Sequence, residues 1–514
     1  MIHPDFYRIR NGHAIGLDEV PLVTFTEFKP ILLNAVISGA RVVLMCAVPE
    51  NVFLTKGHST GEQMRLLCVM AWDEEGALGL LTAQVGDSFI SLTPECPQVH
   101  WFEREIWEQW GIFPQGHPWL KPIRFHKPYR KNPRENITET EIGETVFFEL
   151  KGDEVHEVAV GPVHAGVIEP GHFRFQCHGE NVYHLEISLG YQHRGIERAM
   201  CGKGFEKRRL LFAETMAGDT SIGHCLAYTH IIEAFQKMTI PPRALALRGI
   251  SLELERLANH TGDLGALAGD VGFLPTASYC GRIRGDFLNM SALLCGSRFG
   301  RGMVVPGGTG FDADIQRTDE LLARLSSARK DVSNAVELLF NTPSVMARFE
   351  NTGRLASQAA RELGLVGPAV RACGIRKDVR SDFPTGIFNF AHIPAMVWET
   401  GDVFARAFVR WLEIQQSIGF IKSQLSNMPD GETMSPDAGD RRAPEMAVSM
   451  VEGWRGELCH CAISDGKGGL SYYKVVDPSF HNWIGLAMAL RGQQISDFPL
   501  CNKSFNLSYC GHDL

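Results

Sequence analysis

The chain has 514 residues, of which 44% are hydrophobic and 21% charged, and this composition is typical of a globular protein with two or three domains. Its formal net charge of −9 argues against nucleic acid as the main partner, because phosphate binding requires a basic surface. The sequence does not begin with a basic stretch followed by an apolar run, and it contains no apolar run of about 18 residues. We therefore expect no signal peptide, no transmembrane helix, and a chain that stays in the cytoplasm.

The first 125 residues alternate short apolar segments with a helical stretch. Residues 40–48, 65–73 and 78–85 are rich in Val, Leu and Ile and have the length of buried strands. The segment before them predicts a helix, at least from Pro30 onward. The pattern indicates an α/β N-terminal domain over residues 1–125.

Residues 126–149 are polar and charged and contain two prolines, which predicts a linker. Strand-like segments follow at 143–152 and 156–166. Apolar residues then recur at helical spacing over 242–272, 314–340 and 401–425, and strands return from Ala447, followed by a helix over 480–498. The prediction for residues 150–514 is an α+β, mainly helical C-terminal domain.

The cysteines indicate a reduced protein. The chain has 13 of them, scattered and without a CxxC motif, which is typical of buried thiols. The one close pair, Cys459 and Cys461, flanks His460. Structural zinc needs four ligands at defined spacing, so we interpret this pair as strand packing.

A charged segment closes the first domain. Its pattern is ERE, GI and GHP, formed by Glu103, Arg104, Glu105, Gly111, Ile112, Gly116, His117 and Pro118. This pattern resembles the signature of the C subunit, or 30-kDa subunit, of NADH:quinone oxidoreductase (complex I). We interpret it as a segment that anchors one protein on another without doing chemistry.

The second domain resembles two related groups: the D subunit of complex I, and the large subunit of group-four nickel-iron hydrogenases of the formate hydrogenlyase type. The matching stretches, in order, are GPVHAGVIEPGHFRF, LGYQHRGIER, ELERLANHTGDLG, GLVGPAVRACGIRKDVRSDFP, GDVFARAFVR and VEGWRGEL. The resemblance implies a hydrogenase-large-subunit-like fold. It also implies an iron–sulfur small subunit and antiporter-like membrane subunits as partners, with the chain peripheral on the cytoplasmic side of the inner membrane.

Four thiolates hold the metals of such hydrogenases, and soft sulfur ligands suit that centre. The first pair lies in an R-x-C-G-x-C-x-x-x-H motif, which aligns with TMAGDTSIGH. Thr215 stands at the arginine, and Ala217 and Thr220 stand at the two cysteines. Gly218 and His224 match the motif's glycine and histidine.

The second pair lies in a C-terminal D-P-C-x-x-C motif, where this chain has Ser508 and Gly511. Cys510 falls one residue before the second ligand position. We therefore predict no metal ligands and a degenerate nickel site. Leu514 stands where a removable C-terminal extension would begin, so we expect no processing.

The quinone pair of complex I is not intact either. The resemblance places its tyrosine at Gly218 and its two histidines at His164 and Ile168, while His172 is too far along the chain. A quinone or another small molecule remains the candidate ligand, because a headgroup site needs a few placed polar groups.

Polar residues of these segments are the candidates to line the cavity that the resemblance implies: His164, His172, Asp219, Thr220, His224, Ser508, Cys510, His512 and Asp513. Histidines among them could relay protons. The alternative is that they only fill a metal-free cavity with satisfied polar groups.

A charged loop with His193, Arg194 and Glu197 is the candidate interface with the iron–sulfur subunit. Arg194 either pairs with a carboxylate or raises the potential of a partner's cluster. A plain salt bridge is the alternative.

Three functional hypotheses follow from the sequence. The first is a core subunit that couples electron transfer, possibly to a quinone, to ion movement, with iron–sulfur clusters on partner subunits. The second is an active hydrogenase or formate hydrogenlyase subunit, and the third is a non-catalytic scaffold. No G-x-G-x-x-G motif lies between a strand and a helix, so we do not expect NAD to bind here.

Overall fold

A computed structural model describes residues 5–53, 63–130, 141–166, 168–202, 206–436 and 443–514. The strands are β1 (Tyr7–Ile9), β2 (His13–Gly16), β3 (Leu22–Thr24), β4 (Arg41–Pro49), β5 (Met64–Trp72), β6 (Ala77–Val85), β7 (Ser88–Ile90), β8 (Phe113–Gln115), β9 (Val155–Val160), β10 (His172–His178), β11 (Asn181–Ser188), β12 (Val304–Val305), β13 (Gly308–Thr309), β14 (Glu445–Gly453), β15 (Gly456–Ser464) and β16 (Leu470–Val476).

The helices are α1 (Phe25–Ile37), α2 (His100–Trp110), α3 (Ile196–Met200), α4 (Glu206–Glu214), α5 (Ser221–Gln236), α6 (Pro242–Asp270), α7 (Leu274–Cys295), α8 (Ile315–Phe340), α9 (Pro343–Phe349), α10 (Ser357–Glu362), α11 (Gly367–Arg371), α12 (Val379–Asp382), α13 (Val403–Ser426), α14 (Pro478–Ala489), α15 (Phe498–Phe505) and α16 (Tyr509–Asp513). Among these described residues, no helix is both long and apolar enough to cross a membrane.

The N-terminal sheet has the strand order β1-β6-β5-β4, with β3 pairing in parallel with β6. The three predicted strands are confirmed as β4, β5 and β6; β5 is antiparallel to β4 on one side and to β6 on the other, and all three are almost wholly buried. Helix α1 begins at Phe25, before Pro30. A capping box explains the early start, since Thr24 accepts the N–H of Glu27 and the Glu27 carboxylate accepts the N–H of Thr24.

The three long predicted helices are confirmed as α6, α8 and α13, and α6 packs against both α7 and α13. The strand predicted over 143–152 is wrong. Backbone N–H groups of this segment bond to side chains instead of to a neighbouring strand: Phe148 donates to Glu186 at 2.7 Å and Leu150 to Gln176 at 3.3 Å. Residues 131–140 of the predicted linker lie outside the described residues.

One strand crosses the predicted division of the chain. The C-terminal sheet has the order β16-β15-β14-β2, so β2, near the start of the chain, pairs with β14. The register is antiparallel, with Gly16 opposite Glu445 and His13 opposite Val448. The two-domain division stays a prediction, but the two parts share this sheet.

The three charged side chains of the ERE motif bind groups of their own chain. Glu103 accepts hydrogen bonds from Ser91, Leu92 and Thr93, and Arg104 donates to two carbonyls of the segment that follows α2. Glu105 pairs with Lys474 on β16 at 2.6 Å. All three side chains are buried against their own chain, and the interpretation of the motif as an anchor on another protein stays a prediction.

Four buried ions form what we call the central ion cluster: Glu105, Arg124, Glu197 and Lys474. The Lys474 Nζ lies 2.6 Å from Glu105 and 2.8 Å from Glu197, and Arg124 pairs with Glu105. Burial opposes the charge of Lys474, but the two carboxylates outweigh it and raise the pKa of Lys474. The cluster has equal numbers of acids and bases and joins α2, α3 and β16.

Replacing Lys474 with methionine tests this cluster. The variant leaves the Glu197 carboxylate, and in part that of Glu105, buried without a cation. We expect it to lower the free energy of unfolding by about 3–5 kcal/mol, measured by urea unfolding. Lys29→Met is the control, because Lys29 pairs with the half-exposed Glu95 and its loss should change stability by no more than about 0.5 kcal/mol. Equal effects of the two variants would contradict the role of the cluster.

Candidate functional site

Two loops that are far apart in sequence meet in the structure: residues 217–220, before α5, and residues 508–511, at the start of α16. Arg455, in the turn between β14 and β15, joins them. It donates to both carboxylate oxygens of Asp219 at 2.5 and 2.7 Å and to the backbone carbonyl of Asn506 at 2.6 Å. The backbone of Gly218 also lies near Cys510 and acts to lower the pKa of its thiol. We call this meeting point the loop junction.

A third segment, residues 161–172, borders the loop junction. A Cβ atom on Gly171 would lie 2.5 Å from the ring of Tyr509, so a larger residue there would collide with α16. Burial raises the pKa of the Cys510 thiol to about 11, and the nearby carboxylate of Glu169 raises it further. Cys510 is therefore a neutral thiol at the junction.

The two histidines of the third segment hold that segment together. The His164 Nε2 lies 2.9 Å from the Gly171 carbonyl, and the His172 Nδ1 lies 3.2 Å from the Gly161 carbonyl. Both rings thus have hydrogen-bond partners within residues 161–172, and any role in ligand binding stays a prediction.

The four positions that the resemblance assigns to nickel ligands are buried and carry no thiol. Ala217 has only a methyl group, and the Thr220 hydroxyl donates to Asp219 at 3.2 Å. The Ser508 hydroxyl caps α16 by accepting the N–H of Gly511 at 2.9 Å. This donor set does not fit a nickel-iron centre.

The position of Gly511 has no room for a cysteine side chain. A Cβ atom on Gly511 would lie 2.6 Å from Oδ2 of Asp477, which is closer than real Cβ contacts allow. The Asp477 carboxylate therefore occupies the space that a cysteine at 511 would need. Within the described ranges, no three His, Cys, Asp or Glu side chains are grouped so that they could hold a metal ion.

His224, which matches the family's motif, lies in a line of buried polar groups. Its Nε2 is 3.2 Å from Oδ2 of Asp477, and its Nδ1 is 3.0 Å from Nε2 of His460. The other ring nitrogen of His460 is 2.7 Å from the Tyr473 hydroxyl. Sequence reasoning missed Asp477, His460, Tyr473 and also Arg455. The local signals were the Asp-Pro pair at 477–478, which is typical of a helix N-cap, the position of His460 between two cysteines, and the place of Arg455 in the matching stretch VEGWRGEL.

The last residues of the chain bind a loop over residues 190–196. Asp513 accepts the N–H groups of Gly190 and Gln192 at 2.8 and 2.9 Å. The His512 ring is fully buried between Trp101 and Phe480, with both centroids at 5.3 Å. His512 is thus placed against aromatic rings, although we expected it among the cavity-lining groups.

The three candidate interface residues also have partners in the chain. His193 and the backbone of Arg194 bind the carbonyls of Asp513 and Leu514 at 2.8 and 2.9 Å. The Arg194 guanidinium donates to the carbonyls at 215 and 216, and Glu197 belongs to the central ion cluster. Burial lowers the pKa of His193 to about 4, so its ring is neutral. Their role toward a partner protein stays a prediction.

The chain is similar in sequence to known protein families. Residues 270–446 match the family of the 49-kDa subunit of respiratory-chain NADH dehydrogenase, and residues 42–137 match the family of its 30-kDa subunit. The chain is 31% identical to formate hydrogenlyase subunit 5 of Escherichia coli over 439 residues, which is 82% of this chain and 76% of that protein. It is 26% identical to the C/D subunit of the NADH-quinone oxidoreductase of Bdellovibrio bacteriovorus over 474 residues, which is 83% of each.

These matches define a class of protein in which 30-kDa-like and 49-kDa-like parts are joined in one chain. A further relative is the carbon monoxide-induced hydrogenase of Rhodospirillum rubrum, 31% identical over 68% of this chain and 97% of that protein. The chain belongs to the family that contains the complex I 49-kDa-type subunits and the large subunits of related hydrogenases.

The contact between Gly511 and Asp477 is tested by Gly511→Ala. We expect a loss of about 1–3 kcal/mol in the free energy of unfolding, because the new methyl group collides with a carboxylate that His224 holds in place. Gly218→Ala is the matched control on the other loop, since its Cβ atom would meet nothing within 4 Å. A Gly511→Ala variant as stable as Gly218→Ala would contradict the packing described here.

Proposed function

We propose that this chain is the large core subunit of a membrane-associated oxidoreductase complex and that it has no nickel-iron centre of its own. The observation that carries the proposal is the Asp477 carboxylate against Gly511, at the position where the family's last metal-binding cysteine would lie. The absence of a thiol at the other three ligand positions supports it.

The proposed partners follow from the relatives. One of them is named membrane-bound hydrogenase subunit alpha, from Pyrococcus furiosus, and another NADH-quinone oxidoreductase subunit 4, from Thermus thermophilus. By this analogy the chain docks on an iron–sulfur small subunit and, through it, on antiporter-like membrane subunits on the cytoplasmic side of the inner membrane. Electrons come from clusters in the partner, and the chain couples their transfer to ion translocation.

A quinone is the proposed electron acceptor only if its pocket has been rebuilt. Gly218 offers no hydroxyl where the family has a tyrosine, and the His164 ring is bonded to its own segment. Polar groups at or beside the loop junction include Cys510, Glu169 and Asp219, the last of which is paired with Arg455. These groups differ from the standard pair, so the headgroup would bind in another pose.

An active hydrogenase and a scaffold are the two other candidate functions, and each predicts other contents for the purified complex. An active hydrogenase needs four thiolates that these positions lack. A scaffold needs only the contacts that hold the partners and binds neither nickel nor quinone at the loop junction. The three functions therefore differ in what the purified complex contains.

The test is to purify the complex through a tag on this chain from its native membrane and to count nickel, iron and extractable quinone per chain. We expect iron from the partner's clusters and no nickel above that of a mock purification from an untagged strain. Nickel near one atom per chain would overturn the proposal and restore the hydrogenase function. Quinone that co-purifies supports a redox subunit, whereas iron alone, with no quinone, would favour a scaffold.

A further inference from the structure

A large cavity lies where the N-terminal strands meet the helices of the C-terminal part. It has a volume of about 1050 Å³, and its walls come from the segment between β1 and β2, the start of β6, the end of α5, the first two turns of α6 and residues 382–389. Among the described residues, none of those in the loop junction lines this cavity. Ligand sites usually have volumes of about 300–1,000 Å³ and often lie where two parts of a protein meet. The cavity can therefore enclose a whole small molecule.

Two contacts hold the walls of this cavity in place. The Asn11 side chain donates to the carbonyls of Phe383 and Met450 at 2.8 and 2.9 Å and accepts the N–H of Met450 at 2.6 Å. The backbone of Gly76 approaches the Asp382 carbonyl so closely that a Cβ atom at 76 would lie 2.8 Å from it. The cavity is therefore formed by the fold itself, and a ligand can bind without reordering its walls.

The charge of the cavity wall is opposite in sign to that of the whole chain. Four cations and two carboxylates line the cavity: Arg8, Arg10, Lys237, Arg248, Glu233 and Asp382. Arg248 pairs with Glu233, and Asp382 pairs at 3.4 Å with Arg376, which lies outside the lining. The other three cations are exposed and make no ion pair within the described part of the chain. The wall thus has uncompensated positive charge in a chain of net charge −9, and a cleft concentrates its field.

This positive charge comes from two different walls of the cavity. Arg8 and Arg10 flank the buried Ile9, so their side chains project from the same face of the extended segment. Lys237 comes from another wall, at the C-cap of α5. An anion in the cavity can therefore contact cations on more than one side.

The rest of the lining suits the uncharged part of an organic molecule. Apolar side chains of the wall include Ile9, Leu245 and Phe383. His230 adds a neutral polar group, because burial lowers its pKa to about 4. Its Nδ1 lies 3.3 Å from the Ser449 hydroxyl, and its Nε2 has no hydrogen-bond partner among the described residues. Apolar walls with a few placed polar groups are typical of small-molecule sites.

We propose that this cavity is the binding site of a small organic anion, namely a phosphate ester or a carboxylate with an apolar body. Arg8, Arg10 and Lys237 bind the anionic group, the apolar side chains contact the body, and the Nε2 atom of His230 forms a hydrogen bond with the ligand. The binding is non-covalent and involves neither nickel nor a quinone, so it goes beyond the proposed function and does not depend on it. A ligand that contacts both walls stabilises the junction of the N-terminal and helical parts.

The first test is isothermal titration calorimetry of the full-length chain with 1-naphthyl phosphate, which has a dianionic group on an apolar ring system. Inorganic phosphate and 1-naphthol each have one half of this chemistry, and 1-naphthoate has a carboxylate in place of the phosphate. We expect 1-naphthyl phosphate to bind about tenfold more tightly than either half. The tighter of the two ring-bearing anions gives the ligand class. No binding of either anion at about 1 mM would overturn the proposal.

The double variant Arg8→Gln/Arg10→Gln tests whether the binding occurs in this cavity. We expect it to weaken the binding of 1-naphthyl phosphate by about tenfold and to leave that of 1-naphthol unchanged, because two of the three cations are lost. Arg329→Gln/Lys330→Gln is the matched control, since both residues are exposed on α8 and neither lines the cavity. Equal weakening in the two double variants would overturn the proposal, because only the net charge would then matter.

Urea unfolding gives a second readout and also shows that the variants fold. A ligand that binds only the folded chain raises the unfolding midpoint. At a 1-naphthyl phosphate concentration of roughly ten times its wild-type Kd, we expect this rise in the wild type and the control variant, and a much smaller rise in Arg8→Gln/Arg10→Gln. Equal rises in the three proteins would refute binding at this cavity.

Discussion

Buried charge that must be paired is the constraint on which this structure depends. The central ion cluster places two carboxylates and two cations where water does not reach, and each ion is tolerable only while its partners stay in position. Its members come from α2, the segment after it, α3 and β16. The guanidinium of Arg124 also donates to the carbonyl of His512, which brings the last helix into the same arrangement. Displacing any of these elements would leave a charge unpaired.

The candidate site also depends on the pairing of buried charged groups, with fewer residues. Arg455 joins the loop at 217–220 to the C-terminal segment because Asp219 and a backbone carbonyl both need its donors. The Asp477 carboxylate is held in turn by His224 and by the N–H of Ser479 at 2.8 Å. The absence of a side chain at Gly511 leaves room for the Asp477 carboxylate. The two loops of the site are thus held together by hydrogen bonds and an ion pair within the chain.

The sequence alone was sufficient to predict the elements whose apolar side chains recur at regular spacing. The long helices α6, α8 and α13 and the strands β4 to β6 could be predicted because helical spacing and short apolar runs report burial directly. The segment 143–152 looked like a strand for the same reason, yet its N–H groups bind Glu186 and Gln176, which no local pattern shows. The pairing of β2 with β14 was equally invisible, since nothing near residue 13 points to residue 448.

For the site, the resemblance identified the two loops, and the structure brings them together. The sequence could not identify Asp477, because an Asp before a proline is already explained as a helix cap. The contact of Asp477 with the C-terminal loop depends on the absence of a side chain at Gly511. The sequence also could not place His512, whose ring is fixed by Trp101 and Phe480 from distant parts of the chain.

The strand β2 has a consequence for biosynthesis. Its partner β14 lies more than 400 residues later in the chain, so β2 leaves the ribosome long before the edge it completes exists. At about 5–20 residues per second, that delay is on the order of 20–90 seconds. During this time the nascent N-terminal part exposes an unpaired strand, which is a template for wrong pairing. The edge of β2 therefore gains its native partner only when the C-terminal sheet has been synthesised.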